Sequence, residues 1–204
     1  MTDRLTETLA AIELRTVPSG LVALDALVKE AEVVIRFAGD IDPSHFLVVF
    51  DGHLADVEAA LQRAVEAGAA DTLETLLLPR AHDLLRAATG GEFASPGPPS
   101  AAEQAVGVVQ CHTVLGIIAA TDRALKAAEV ALLRLRFATD LAGQGHAVLA
   151  GEHFDVAVAL SAAAADAESG VTVETRIIPR AAPETFAAAA QRTAGPRPLR
   201  SLEP

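Results

Sequence analysis

The chain is short of the residues that usually announce chemistry. Its one cysteine, Cys111, excludes an internal disulfide and any metal cluster held by several thiolates. It is read as a small core residue. Trp and Tyr are absent, and the seven Phe are the only aromatics. Basic residues are scarce, 16 Lys and Arg against 27 Asp and Glu, and the net charge of −11 argues against nucleic-acid binding through a basic surface. No uninterrupted apolar run reaches the roughly 18 residues that a membrane helix needs. Met1 to Glu13 carries Asp3, Arg4, Glu7 and Glu13, which is not signal-peptide composition. A soluble cytoplasmic protein is expected. No serine sits in a Gly-x-Ser-x-Gly elbow, and no dinucleotide or phosphate-loop fingerprint occurs. Gly143-Gln144-Gly145 comes nearest, and it falls between predicted strands. The histidines, His45, His53, His82, His112, His146 and His153, follow no metal-ligand spacing. No catalytic, metal or cofactor site is therefore expected.

What is present is small apolar side chains and a repeat. Half of the chain is apolar, rich in Ala and Val, so each buried side chain contributes little area and association is expected to add to stability. Leu78-Pro79-Arg80-Ala81 recurs as Ile178-Pro179-Arg180-Ala181, 100 residues on, with Thr72, Glu74 and Thr75 matched by Thr172, Glu174 and Thr175. At offset 97, Thr16, Ala23, Asp25, Lys29, Ala31, Glu32 and Val33 match Thr113, Ala120, Asp122, Lys126, Ala128, Glu129 and Val130. At offset 99, Val49, Gly52, Asp56, Val57, Ala60, Leu61 and Ala64 match Val148, Gly151, Asp155, Val156, Ala159, Leu160 and Ala163. Small loop insertions account for the drift, so the chain is two divergent copies of one domain.

Periodicity sets the elements of each copy. In the first, strands are expected at Leu9–Arg15, Val33–Phe37, His45–Phe50 and Thr72–Leu78. Helices are expected at Gly20–Ala31 and Leu54–Ala67, with Gly68 as a stop and a loop at Gly39–Ser44. Asp25 and Lys29, four apart, suit a helical ion pair, and Asp56 suits a first turn. In the second, strands are expected at Val106–Thr113, Val130–Phe137, His146–Ala150 and Val171–Ile178, helices at Leu115–Ala128 and Phe154–Ala167, and a loop at Thr139–Gly145. The order β-α-β-β-α-β predicts an α+β fold of two tandem ferredoxin-like domains in non-permuted order. The expected boundaries are 1–88 and 105–186, joined by a Gly/Pro-rich linker at 89–104 and followed by a flexible tail at 187–204.

Taken in order, these features resemble the bacterial microcompartment shell-protein domain. The shared features are Asp25/Lys29/Ala31 and Asp122/Lys126/Ala128 on the first helices, Gly52 and Gly151 before the second, and the two Pro-Arg closes. The tandem arrangement resembles the family members that form trimers shaped like hexamers. The resemblance implies a structural, non-enzymatic tile of the shell, lying in the cytoplasm. Its implied partners are two further copies of itself, single-domain hexamers and vertex pentamers edge to edge, and small metabolites passing a central pore. The implied pore lining is Asp40, Ile41, Asp42, Pro43 and Ser44 with Thr139, Asp140, Leu141, Ala142 and Gly143. The implied tile edge is Lys29, Arg80, His82, Lys126 and Arg180, although Ala182 stands where a second histidine would. Asp40, Asp42 and Asp140 facing the channel would repel anions. Some tandem members carry an iron–sulfur cluster on a pore-loop cysteine; these loops have none, so no cofactor is implied. The residues by themselves also leave open a small-molecule-binding regulatory protein built of tandem ferredoxin-like domains.

Overall fold

The structure, a computed structural model, describes residues 7–91, 104–137, 140–165 and 172–190. They fall into two compact units, divided between residues 92 and 93. Most of the expected linker, the tail beyond 190, Thr139, and the segment where the last helix was expected to end and the last strand to start lie outside the described residues.

The first unit runs β1 (Glu7–Leu14), α1 (Val17–Glu30), β2 (Val34–Ile41), β3 (His45–His53), α2 (Leu54–Gly68), β4 (Thr72–Leu78) and α3 (Asp83–Thr89). Its sheet has the order β2-β3-β1-β4 with every neighbouring pair antiparallel, as two interleaved β-α-β crossovers require. The second runs β5 (Ala105–Cys111), α4 (Val114–Ala127), β6 (Ala131–Arg136), β7 (Gly145–Gly151), α5 (His153–Ala164), β8 (Val173–Ile178) and α6 (Pro183–Ala190). Its order is β6-β7-β5-β8.

Equivalent devices start the first helix of each unit. The Thr16 hydroxyl accepts from the Ser19 amide at 3.3 Å and Thr113 from Gly116 at 3.0 Å, each satisfying an otherwise orphaned helical N–H. Beneath these helices the volume is exchanged. A Cβ on Gly20 would stand 2.3 Å from the Phe46 ring, and one on Gly145 would stand 2.2 Å from Ile117. Gly20 aligns with Ile117, and Phe46 with Gly145, so bulk moves from strand to helix between copies while the gap stays filled.

Two expectations need correction. Gly39 does not open a loop: β2 continues through Asp40 and Ile41, which pair with Phe46 and His45, because hairpin pairing satisfies backbone groups that a loop would leave unpaired. Gly68 does end α2, as expected, with ordinary helical φ. Its lack of a side chain matters because a Cβ would meet Leu14 at 2.6 Å, while Ala69 takes the positive φ of 46°. The second correction concerns α3 and α6, whose short apolar patterns gave no periodicity to read. The latter carries the chain to Ala190, four residues into the stretch expected as tail.

These terminal helices lie over the sheet face opposite α1 and α2, or α4 and α5, and the two units secure them by different chemistry. A one-residue bulge in β2 presents Arg36, and the matching bulge in β6 presents Leu133. In the first unit, Arg36 and Arg86 both bind Asp51, Arg86 Nε donating at 2.6 Å and Arg36 Nε at 2.9 Å. Arg86 also pairs with Glu7. In the second unit the same positions are Leu133, Ala150, Phe186 and Gln104, and the first three form an apolar cluster with Val106 and Val148.

Candidate assembly edge and pore loops

The Pro-Arg close is built identically in both units. Each last strand ends at proline, and Arg80 and Arg180 follow at φ 52° and 47°, the left-handed region that costs a branched-chain-free L-residue about 1 kcal/mol or more. The next amide then bonds back to the start of its unit: Ala81 N to Glu7 O and Ala181 N to Gln104 O, both 3.2 Å. Both arginines are exposed. A strained turn repeated at both sites aims two long cationic forks outward.

Lys29 and Lys126 lie in the last turns of α1 and α4. Lys29 pairs with Asp25 at 2.6 Å, as the four-residue spacing predicts, and Lys126 pairs with Asp122. Their surroundings differ. Val17, Leu21, Asp25 and Val28 form one helical stripe on α1; Val114, Ile118, Asp122 and Leu125 form its counterpart on α4. The α4 stripe is buried throughout, whereas Leu21 is 53% exposed and Val17 and Val28 are exposed as well. Sequence reasoning missed this difference, because the two stripes are equally apolar. His82 is held apart from the edge set in one respect: its Nδ1 accepts from the Leu84 amide at 3.2 Å and caps α3.

The expected pore residues do not all reach a loop surface. In the first unit the turn is tight, Ser44 N donating to Ile41 O at 2.9 Å. Asp40, Pro43 and Ser44 are exposed and Asp42 half-buried, but Ile41 points into the protein. In the second, Gln144 N donates to Leu141 O at 3.0 Å, with Ala142 and Gly143 both at positive φ. Asp140 and Ala142 are exposed, and Leu141 and Gly143 half-buried.

Behind each loop sits a side-chain pair at matching register. His45 Nδ1 meets Glu13 at 2.6 Å; the second unit has Gln110 donating to Gln144 at 2.8 Å. His146 is therefore the counterpart of Leu47, not of His45. Burial and the nearby Arg134 and Arg136 pull its pKa down to about 4. Cys111 is buried in β5, and burial pushes its thiol up to about 11, which suppresses the nucleophilic thiolate.

The BMC domain matches this chain twice, over residues 8–81 and 105–181. The chain belongs to the BMC-domain family. Both matches coincide with the two sheet-and-helix units and end at the Pro-Arg-Ala turns. Among similar proteins, the bacterial microcompartment shell protein PduT of Citrobacter freundii is 30% identical over 177 residues, 86% of this chain and 94% of that one. A crystal structure of a microcompartments protein from Desulfitobacterium hafniense superposes with a TM-score of 0.78 at 23% identity, covering 88% of this chain and 97% of that one. A fused permuted hexameric shell protein from the RMM microcompartment gives 0.58 at 23% identity, covering 80% and 84%. The BMC domains of this chain keep the β-α-β-β-α-β order.

Proposed function

We propose that this BMC-domain chain is a structural subunit of a bacterial microcompartment shell, and that three copies close into a six-sided disc around a pore. One observation supports the closure most strongly. The stripe Val114, Ile118, Asp122 and Leu125 of α4 is buried, while the same stripe of α1 leaves Val17, Leu21 and Val28 exposed. An apolar helix face that is covered in one repeat and bare in the other calls for a second copy to cover it. A head-to-tail contact of that kind closes into a ring when the rotation permits, and two domains per chain make three chains a pseudo-sixfold ring.

On this reading Lys29, Lys126, Arg80 and Arg180 form the disc edge, where a lysine stem can lie along a neighbouring tile and an arginine fork can reach several acceptors. His82 would stand at the same edge, its Nδ1 capping α3. The loop tips Asp42–Ser44 and Asp140–Gly143, with Asp40, would face the pore. Ile41 drops out of the lining because it is buried. Other shell proteins would meet the disc edge to edge, and small metabolites would pass through it.

Mass measurement in solution tests this first. The expected species is about three times the 21.0 kDa chain mass; a monomer or dimer at micromolar concentration overturns the disc. Leu21→Glu should reduce the species to monomers, because it places a charge on the bare stripe. The double variant Lys29→Ala, Lys126→Ala should keep the trimer and abolish extended sheets in electron micrographs. For the pore, replacing Asp40, Asp42 and Asp140 by Asn should raise shell permeability to a small anion, and an unchanged rate removes the charge filter.

A further inference from the structure

The sheet face of the second unit that lies opposite α4 and α5 carries a cationic cluster that the first unit does not have. Gly145 faces Ile117 of α4, so His146 beside it points to the other face. Arg136 stands directly across from His146, and His146 across from Gln110. Arg134 is two residues from Arg136 on the same face, which places the two Cα atoms about 7 Å apart, within reach of long guanidinium arms converging on one group. Arg134 Nη2 donates to His146 Nε2 at 2.7 Å. That bond fixes the imidazole proton on Nδ1, which becomes a second kind of donor. Gln144 has its carbonyl taken by Gln110 and keeps its amide N–H groups.

The aligned positions in the first unit are Phe37, Gly39 and Leu47, and among these Phe37 and Leu47 are buried. The fold therefore does not require cations here. Nor does composition supply them, in a chain with net charge −11. We propose that Arg134, Arg136 and His146 bind a small oxyanion, a phosphate or a carboxylate, on the face of the second sheet opposite α4 and α5. Paired guanidinium forks match the geometry of such groups. Charge in the site supports this: burial and then Arg136 disfavour the Arg134 cation, burial and then the two arginines keep His146 neutral, and an anion held between the two guanidinium groups offsets their mutual repulsion. From β8, Glu174 lies across from Gln110 and Arg176 across from Val108, both two strands from His146.

The test is titration of the full chain with inorganic phosphate, succinate and, at matched ionic strength, chloride, following the His146 ring by NMR. Assignment comes from His146→Gln. Phosphate or succinate should bind saturably and raise the His146 midpoint from about 4, and which of the two binds tighter identifies the oxyanion. Arg136→Gln should weaken binding about tenfold, the loss of one charge-assisted bond, with unchanged circular dichroism. The Arg134→Gln, Arg136→Gln pair should weaken it further. Arg63→Gln, on exposed α2 surface, should leave binding as it was. Failure to saturate at concentrations on the order of tens of millimolar, equal shifts with chloride, or full-strength binding by a folded Arg136→Gln variant would each overturn the site. None of these outcomes depends on whether the chain forms a disc.

Discussion

Removing the Asp51 carboxylate is expected to cost more than removing either arginine bound to it. Asp51 is the acceptor shared by Arg36 and Arg86, and its side chain is 1% exposed while that of Arg86 is 10% exposed, so solvent screens the contact little. Asp51→Ala leaves Arg36 facing Arg86, which keeps Glu7 and Asp83, and loss of one side of a buried pair costs about 3–5 kcal/mol, here toward the lower end. A domain is stable by only about 5–15 kcal/mol. Arg86→Met leaves Asp51 still paired with Arg36, so its cost is nearer that of a charged hydrogen bond, about 1.5–3 kcal/mol. Arg36→Met should cost least, since its side chain is 19% exposed. The second unit shows how the loss can be repaired. Combining Asp51→Ala with Glu7→Gln, Arg36→Leu and Arg86→Phe reproduces the apolar set of Gln104, Leu133, Ala150 and Phe186. That variant should recover to within about 2 kcal/mol of the starting protein, because well-packed apolar groups replace buried ion pairs at little net cost. The chain has no Trp or Tyr, so urea unfolding is followed by far-ultraviolet circular dichroism, with amide exchange in β1 and β3 reporting the first unit. An Asp51→Ala variant within about 1 kcal/mol of the starting protein, inside the scatter of ordinary substitutions, would refute this account. So would a fourfold variant no more stable than Asp51→Ala alone.

Two further outcomes follow from the packing and from the buried histidine. Gly20→Ala should destabilise the first unit by about 1–3 kcal/mol, as overpacking does, and Gly20→Ile with Phe46→Gly should restore most of the loss in the same urea assay. The His146 value near 4 lies below the usual 6.5, so between those values the unfolded chain binds more protons than the folded one, and stability falls as pH drops through that window. Below about pH 4 this contribution is constant, and above 6.5 it is absent. His146→Gln should thus gain on the starting protein by about 3 kcal/mol at most between pH 7 and pH 4, less the part that solvent screens at this partly exposed ring, read by unfolding at each pH.

The amino-acid sequence by itself determined the duplication, the order of strands and helices, the Asp25–Lys29 pair, and the family resemblance that the twofold BMC-domain match then established. Each of these lives in local periodicity or in residues repeated at nearly constant offset, and neither depends on what a side chain touches. The sequence did not disclose α3 and α6, each no more than eight residues long, because so short a helix is held by the sheet it covers rather than by its own pattern. It did not disclose that Asp40 and Ile41 belong to a strand, since hairpin pairing overrode the glycine and proline around them. Tertiary structure alone decided which matched positions had exchanged their chemistry: Gly20 with Phe46 against Ile117 with Gly145, Arg36 with Asp51 and Arg86 against Leu133 with Ala150 and Phe186, and Phe37 with Leu47 against Arg134 with His146. Those partners are distant in the chain and are joined only by register across the sheet. The same holds for the α1 stripe, whose exposure depends on what lies against it and not on its own apolar residues.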